Sequence, residues 1–172
     1  MPAAPHTSPE VSPVDQSDLL ARLHALFPDA EFLQAGETVF VMYDPDHRLT
    51  PERRRPFLTL VADDAHDRAS NLSRPGVYRL NIELTPEEYR DRFGPHPRSG
   101  PDGLVDTGHD FTALDTLMPH PVYAPMSWAC VLSPGAATLG HLLPLIGNAH
   151  ARAVRRHGLA APSTGIPSGG PG

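Results

Sequence analysis

The sequence contains no lysine, a single cysteine and no apolar run of the roughly 18 residues that a membrane-spanning helix requires. Its basic side chains other than histidine are therefore all arginines, 14 in number, against 20 Asp and Glu, for a formal net charge of −6. One cysteine excludes an internal disulfide framework and a thiolate-rich metal site. Because the arginines are mostly scattered, a broad basic surface is also missing, and nucleic acid is not an expected partner.

The two ends of the chain have little to bury. Residues 1–14 are rich in proline and residues 159–172 in Pro, Gly and Ser, compositions that do not compensate the entropy of ordering. We expect disordered tails there and one domain over residues 15–158. Since the chain opens without a charged and then apolar leader, the predicted location is cytoplasmic.

Hydrophobic periodicity predicts helices at both ends of the domain and strands between them. The apolar stripe of residues 17–27 indicates a helix, with Ser17 as its N-cap. Segments rich in β-branched and aromatic residues predict strands at 31–34, 38–43, 57–62, 77–84 and 127–132. This order is typical of an α+β fold, a mostly antiparallel sheet packed on one face by the N- and C-terminal helices.

The clearest local signal begins at Thr85. Thr85 and Glu88 form a capping-box pattern with Pro86 between them, which predicts a helix to Phe93 that ends at Gly94. Weaker patterns predict a helical turn at 64–69 and a short helix at 111–118. The last helix is predicted to reach residue 156, and Pro144 either kinks it or marks its first turn.

Three segments carry a resemblance to a known group of proteins. They are SRPGVYRLNI at 73–82, DFTALDTLMPHPVYAPMSWACVLSPG at 110–135 and AHARAVRRHG at 149–158. Over about residues 17–158 the chain resembles an uncharacterised bacterial, mainly actinobacterial, domain family of unknown function. The resemblance implies membership of that family and no assigned activity.

A more distant similarity is to the MmcQ/YjbR-like family. It lies in an N-terminal helix, a mostly antiparallel sheet and a strand with a tryptophan, here Trp128, just before a final helix through His150. The resemblance implies a compact double-wing α+β fold, for which DNA binding has been suggested. Residues 124–127, Ala-Pro-Met-Ser, stand where that family has basic residues before the tryptophan. DNA binding is therefore the third of three hypotheses.

The first hypothesis is a binding site on the sheet. Arg79 and Asn81 are two apart on one strand, so their side chains share a face opposite the apolar one. His120, Tyr123 and Trp128 follow from the stretch before the last helix. An arginine, an amide, an imidazole and two aromatics suit a small anionic or planar ligand. We predict a non-catalytic module, without a cofactor, that binds such a ligand or a protein; the alternative is an exposed sheet face with core aromatics.

The second hypothesis is a metal- or histidine-dependent enzyme. His109, Asp110 and His120 come from a long irregular loop and the turn after it, and their convergence would provide ligands, with the loop at 95–109 as a lid. Their spacing does not require this, and surface or hydrogen-bonded histidines are the commoner outcome. Cys130, in mid-strand, is expected to be a buried apolar side chain. Whether the protein is an enzyme stays open.

One basic cluster has two interpretations. Arg53, Arg54 and Arg55 end a polar excursion between two strands. The triplet fits a contact with phosphate or with an acidic partner, and it fits equally a solvated loop, which is the commoner case.

Overall fold

The computed structural model describes residues 12–160 of the chain, so most of the two predicted tails lies outside it. Within this range the chain forms three α-helices and six strands. In chain order they are α1 Gln16–Leu26, β1 Glu31–Ala35, β2 Thr38–Met42, β3 Leu58–Val61, β4 Arg79–Glu83, α2 Pro86–Phe93, β5 Met118–Pro119, β6 Trp128–Leu132 and α3 Ala136–Ala160. No helix in residues 12–160 is long and apolar enough to cross a membrane.

The six strands form one sheet in the order β1-β2-β3-β4-β6-β5, and every neighbouring pair is antiparallel. On one face Val39, Leu60, Leu80 and Val131 lie side by side across four strands. They belong to the main apolar core, together with the inward side chains of α1 and α3. The predicted α+β fold, with its terminal helices on one face of the sheet, is confirmed.

The opposite face of the sheet is only partly covered. At one end Val61, Met118, Cys130 and Leu132 form a smaller apolar cluster with Leu72 from the β3–β4 connection. The segments at 63–77 and 111–127 lie over this end. The rest of the face carries polar side chains and is open to a cavity, described below.

The helix predicted at 111–118 does not form. Asp115 adopts a left-handed conformation with φ 54°, and its backbone N–H donates to the Leu132 carbonyl at 2.7 Å. Met118–Pro119 then pairs with β6 as the edge strand β5. The predicted helical turn at 64–69 is also replaced by bends, since the Asp64 carboxylate accepts from the N–H of Leu72. In both segments, backbone N–H groups find hydrogen-bond acceptors on residues that are not their neighbours in sequence. The spacing of apolar residues does not reveal such partners.

Helix α2 has its predicted ends, and α1 has an N-cap different from the predicted one. The carboxylate of Asp15, rather than the Ser17 hydroxyl, caps α1 by accepting from the N–H of Ser17 at 3.0 Å. In α2 the full capping box is present: the Thr85 hydroxyl accepts from the N–H of Glu88 at 3.0 Å, and the Glu88 carboxylate accepts from that of Thr85 at 2.9 Å. Gly94, with φ 80°, ends α2 as predicted.

The last helix is longer than its sequence pattern indicates. It runs from Ala136 to Ala160, so Pro144 lies inside it, and the alternative that Pro144 marks its first turn is wrong. A proline removes one backbone hydrogen bond. The exposed Pro144 is tolerated because the neighbouring Leu142, Leu145 and Ile146 are buried against the sheet.

Thr85→Ala tests the contribution of the capping box. We expect the free energy of unfolding to fall by about 1 kcal/mol, because the N–H of Glu88 loses its acceptor. The measurement is equilibrium unfolding in urea, with Thr138→Ala as the matched control within α3. That control should be neutral or slightly stabilising, since alanine has the higher helix propensity. Equal destabilisation by both changes would contradict a capping role.

Candidate functional site

A cavity of about 660 Å³, the large cavity, lies on the sheet face opposite α1 and the buried stripe of α3. The structure brings all five residues predicted from the sequence to its wall: Arg79, Asn81, His120, Tyr123 and Trp128. That they bind a ligand stays a prediction. The other lining residues come from β2, β3, the end of β4, the start of α2, residues 55–56, the two covering segments and the end of α3.

The floor of the large cavity is a row of side chains in register across the sheet. Phe40 lies beside Thr59, and Thr59 lies beside Asn81. The Asn81 amide donates to the Thr59 hydroxyl at 2.8 Å, while its oxygen is buried without a partner among the described residues. A buried polar atom without a partner is unfavourable by about 1–3 kcal/mol. One end of this amide is therefore unsatisfied beneath the cavity.

Arg79 lies beside Asn81 on β4 and is held by a buried ion pair. Its two terminal nitrogens donate to the two carboxylate oxygens of Asp67 at 3.1 and 2.8 Å, and one also donates to the Ser70 hydroxyl at 2.8 Å. Burial tends to raise the pKa of Asp67, but the hydrogen bonds and charge of Arg79 outweigh it and hold that pKa below its ordinary value. Most of the guanidinium is thus committed to Asp67, and its Nε is buried without a partner among the described residues.

His120 is 1% exposed and is fixed in one tautomer. Its Nδ1 accepts from the backbone N–H groups of Val122 and Tyr123, both at 3.0 Å, so the ring proton lies on Nε2. Burial, followed by the nearby charge of Arg79, lowers the pKa of His120 to about 3. With its proton on Nε2, His120 is a neutral hydrogen-bond donor in the wall of the large cavity.

The mouth of the large cavity is apolar and aromatic. Tyr123 is 51% exposed and Met126 67% exposed, and Trp128 is partly exposed beside them. The ring of Tyr123 also contacts that of His120, with 4.9 Å between centroids. Arg55 is exposed at the same rim. Flat rings at the mouth and N–H or O–H groups further in suit a ligand that is planar and rich in acceptors.

The long loop at 95–109 is anchored next to the cavity. The Ser127 hydroxyl, in a residue with φ 68°, is 2.8 Å from His96 Nε2. His96 stacks on Tyr89 with 4.4 Å between ring centroids, and the N–H of Val105 donates to the Pro121 carbonyl at 2.9 Å. These contacts anchor the loop, and none of its residues lines the large cavity, so the structure gives no support to the loop as a lid.

His109, Asp110 and His120 do not come together. His109 is exposed, with its Nδ1 2.8 Å from the Thr107 hydroxyl, and the Asp110 carboxylate accepts from the N–H and hydroxyl of Thr112. His120 is buried under the large cavity with Nδ1 already occupied. Among the described residues these three do not form a group with the close donor atoms that a metal ion needs.

One other group has close donor atoms, Glu31, Asp44 and His47, which lie within 4.8 Å of one another. The guanidinium of Arg54 lies 3.4 Å from Asp44 and 3.8 Å from Glu31. The Asp44 carboxylate, fully buried, also accepts from the N–H groups of the loop that follows it. Since an arginine already supplies the positive charge, we assign this group to the fold.

Cys130 is buried in mid-strand, in agreement with its expected apolar role. Burial raises the pKa of its thiol to about 12, against a smaller opposing effect of the Arg79 charge. The thiol therefore stays protonated at neutral pH, and a nucleophilic role requires the thiolate.

Sequence reasoning missed several side chains of the site. Thr59 had a usable signal, because it is a polar residue at an alternate position of an otherwise apolar strand. Asp67, twelve residues before Arg79, had none, since its loop carries several acids of equal local appearance. Arg55 and Arg156 likewise reach the cavity only through the packing of a loop and of the end of α3.

Comparison with known proteins gives a family and no activity. No curated protein and no solved structure matches the chain significantly. A family model does match it over residues 14–161, which includes the whole described sheet and every side chain of the large cavity. The chain therefore belongs to the family of unknown function DUF6194.

Proposed function

We propose that the protein is a non-catalytic module that binds a small, planar, acceptor-rich ligand in the large cavity. The observation that carries the proposal is the convergence of an aromatic mouth and buried donor groups on one cavity of about 660 Å³. Ligand sites typically measure about 300–1,000 Å³ and combine apolar walls with a few polar groups.

Two sets of contacts support this ligand chemistry. His120 presents a neutral Nε2–H, and Trp128 and Tyr123, which carry an indole N–H and a hydroxyl, line the same cavity. A ligand carbonyl or carboxylate oxygen would accept from them. The Asp67 carboxylate, in contrast, already accepts from Arg79, so it offers little to a cationic ligand.

The state of the titratable groups supports binding over proton transfer. A general base near neutral pH needs a pKa near that pH and a free lone pair. With its pKa at about 3, His120 is neutral, its Nδ1 is engaged and its Nε2 carries the proton. It therefore acts as a hydrogen-bond donor in this proposal.

Three finer predictions stay proposals. The N-terminal helix, the antiparallel sheet and the position of Trp128 in the strand before the last helix support the relation to the MmcQ/YjbR-like family. The cytoplasmic location and a bacterial, mainly actinobacterial, origin rest on the sequence and its resemblance alone.

The single tryptophan makes the test direct, because Trp128 lines the cavity and is the only source of indole fluorescence. Native mass spectrometry of the protein purified without additives first reports any retained compound. Titration with benzoate and nicotinate, and with their amides, then measures binding through Trp128. The acids and amides are expected to shift the Trp128 emission saturably, because both present a planar ring with an acceptor.

Tyr123→Ala is the matched variant. It removes a ring that is 51% exposed at the mouth, and we expect the affinity to fall about two- to tenfold, in line with aromatic contacts of about 0.5–1.5 kcal/mol. Leu33→Ala, at an apolar side chain of β1 that is 44% exposed, should leave the affinity unchanged. An empty mass spectrum together with no fluorescence change for any probe would reject the proposal and favour a protein partner.

A further inference from the structure

A second cavity of about 230 Å³, the small cavity, adjoins the first. Arg55 and Arg156 line both cavities, which places the small one at the rim of the large one. Its lining is Tyr43, Leu49, Glu52, Arg53, Arg55, Ala153, Arg156 and His157. The volume is below that of a site for a whole ligand of ordinary size, and it suits one compact group.

The three consecutive arginines at 53–55 differ in their contacts: one forms ion pairs within the fold, and the other two line the small cavity. Arg54 in the middle is partly buried and forms ion pairs with the buried Asp44 and with Glu31. Arg53 and Arg55 on either side are exposed, line the small cavity, and form no ion pair with any residue of the range 12–160. In a chain with a net charge of −6, two guanidinium groups outside any such ion pair therefore face one small space.

The end of α3 adds a hydrogen-bond donor that has no acceptor among the described residues. One terminal nitrogen of Arg156 donates to the Glu83 carboxylate at 2.8 Å, and the other is buried without a partner among the described residues. The ring of His157 faces two carboxylates, with Nδ1 4.0 Å from Asp44 and Nε2 3.6 Å from Asp46, so it is not counted as a donor to the cavity. The lining also holds one carboxylate, Glu52; its own N–H and the Thr50 hydroxyl lower its pKa, so it stays ionised and offsets part of the positive charge of Arg53 and Arg55.

We propose that the small cavity binds a phosphate group, and that the ligand of the large cavity is a phosphorylated planar compound. The part that concerns the planar ring rests on the proposed function; the phosphate site does not. The guanidinium groups of Arg53 and Arg55 and the free terminal nitrogen of Arg156 match the three acceptor oxygens of a tetrahedral phosphate group. A carboxylate has only two oxygens and would leave one of these three donors without an acceptor.

Inorganic phosphate is the first probe. In protein labelled with ¹⁵N, the side-chain Nε–H signals of Arg53, Arg55 and Arg156 are followed as phosphate replaces chloride at constant ionic strength. We expect saturable shifts at these three arginines and none at Arg22, which is exposed on α1. Uniform small shifts at all exposed arginines, Arg22 included, would overturn the proposal.

Arg55→Gln is the matched variant, with Arg22→Gln as its control. Both positions are exposed, so folding should be unaffected. The apparent Kd for phosphate should rise about tenfold or more in Arg55→Gln, because a hydrogen bond to a charged group is lost, and should not change in Arg22→Gln. An unchanged Kd in Arg55→Gln would also overturn the phosphate site.

Nucleoside 5′-monophosphates and the matching nucleosides then separate the two proposals through Trp128 fluorescence. Tighter binding of the monophosphates, lost in Arg55→Gln, supports both. Binding of nucleosides with no gain from the phosphate rejects the phosphate site and leaves the proposed function standing. Saturable phosphate shifts at the arginines without any Trp128 response support an isolated anion site and reject the planar ligand.

Discussion

Asp67→Asn is expected to lower the free energy of unfolding by about 3–5 kcal/mol, the usual effect of breaking a buried ion pair. The side chains of Asp67 and Arg79 are 8% and 2% exposed, and their two parallel hydrogen bonds measure 3.1 and 2.8 Å. Removing the carboxylate charge leaves a guanidinium that is 2% exposed without a compensating charge. Equilibrium unfolding in urea at neutral pH measures the change.

Two further variants make the expectation specific. Asp91→Asn, at an exposed position of α2, makes the same chemical change and should alter stability by less than about 0.5 kcal/mol. Asp67→Ala with Arg79→Met removes both charges and should recover most of the loss, because a buried pair is often replaceable by apolar side chains. A double variant no more stable than Asp67→Asn would show that the charge pair is not the cause.

Because of His120, we expect the protein to lose stability on acidification already at pH values well above the ordinary pKa of a carboxyl group. The pKa of His120 is about 3 in the folded state, against 6.5 for an ordinary histidine, so between these values the unfolded chain binds the proton and the native one does not. Stability therefore rises with pH across this window, by about 1.4 kcal/mol per pH unit, and is fully present above pH 6.5. Asp67, with its lowered pKa, adds a loss only below about pH 4.

His120→Gln separates titration from packing. The variant loses the hydrogen bonds of Nδ1 and is expected to be less stable at every pH. Its stability should nonetheless depend less on pH between 4 and 6.5, because the group that titrates is gone. Urea unfolding at a series of pH values gives both slopes. Parallel curves for the two proteins would assign the acid sensitivity to another group.

The elements that could be predicted were those with a complete local cause. The capping box of Thr85 and Glu88 satisfies backbone groups within one turn, so four residues decide where α2 begins. The alternation along β4 similarly set Arg79 and Asn81 on the face opposite Leu80 and the main core. The grouping of the five candidate residues could likewise be predicted. Strand periodicity placed two of them on one face, and the unusual composition of the stretch before the last helix indicated the other three.

The segment at 111–118 was predicted wrongly because its structure depends on contacts that are distant in sequence. Its apolar spacing fits a helix, but the edge of β6 offers Met118 and Pro119 a strand partner, and the Asp115 carboxylate accepts from the N–H of Gly135 at 2.7 Å. These contacts join residues up to twenty apart in sequence. A tertiary partner that satisfies the backbone outweighs a helix propensity of a few tenths of a kcal/mol per residue.

The sequence by itself determined the α+β class, the helices on one face of the sheet and the polar face that carries Arg79 and Asn81, because each follows from periodicity along a single segment. Only the tertiary structure decided that Arg79 is paired with Asp67, that His120 is a neutral donor, and that Arg53 and Arg55 face a cavity while Arg54 forms ion pairs with Asp44 and Glu31. Charge state and hydrogen-bond capacity depend on burial and on partners far along the chain, and one-dimensional spacing does not encode them.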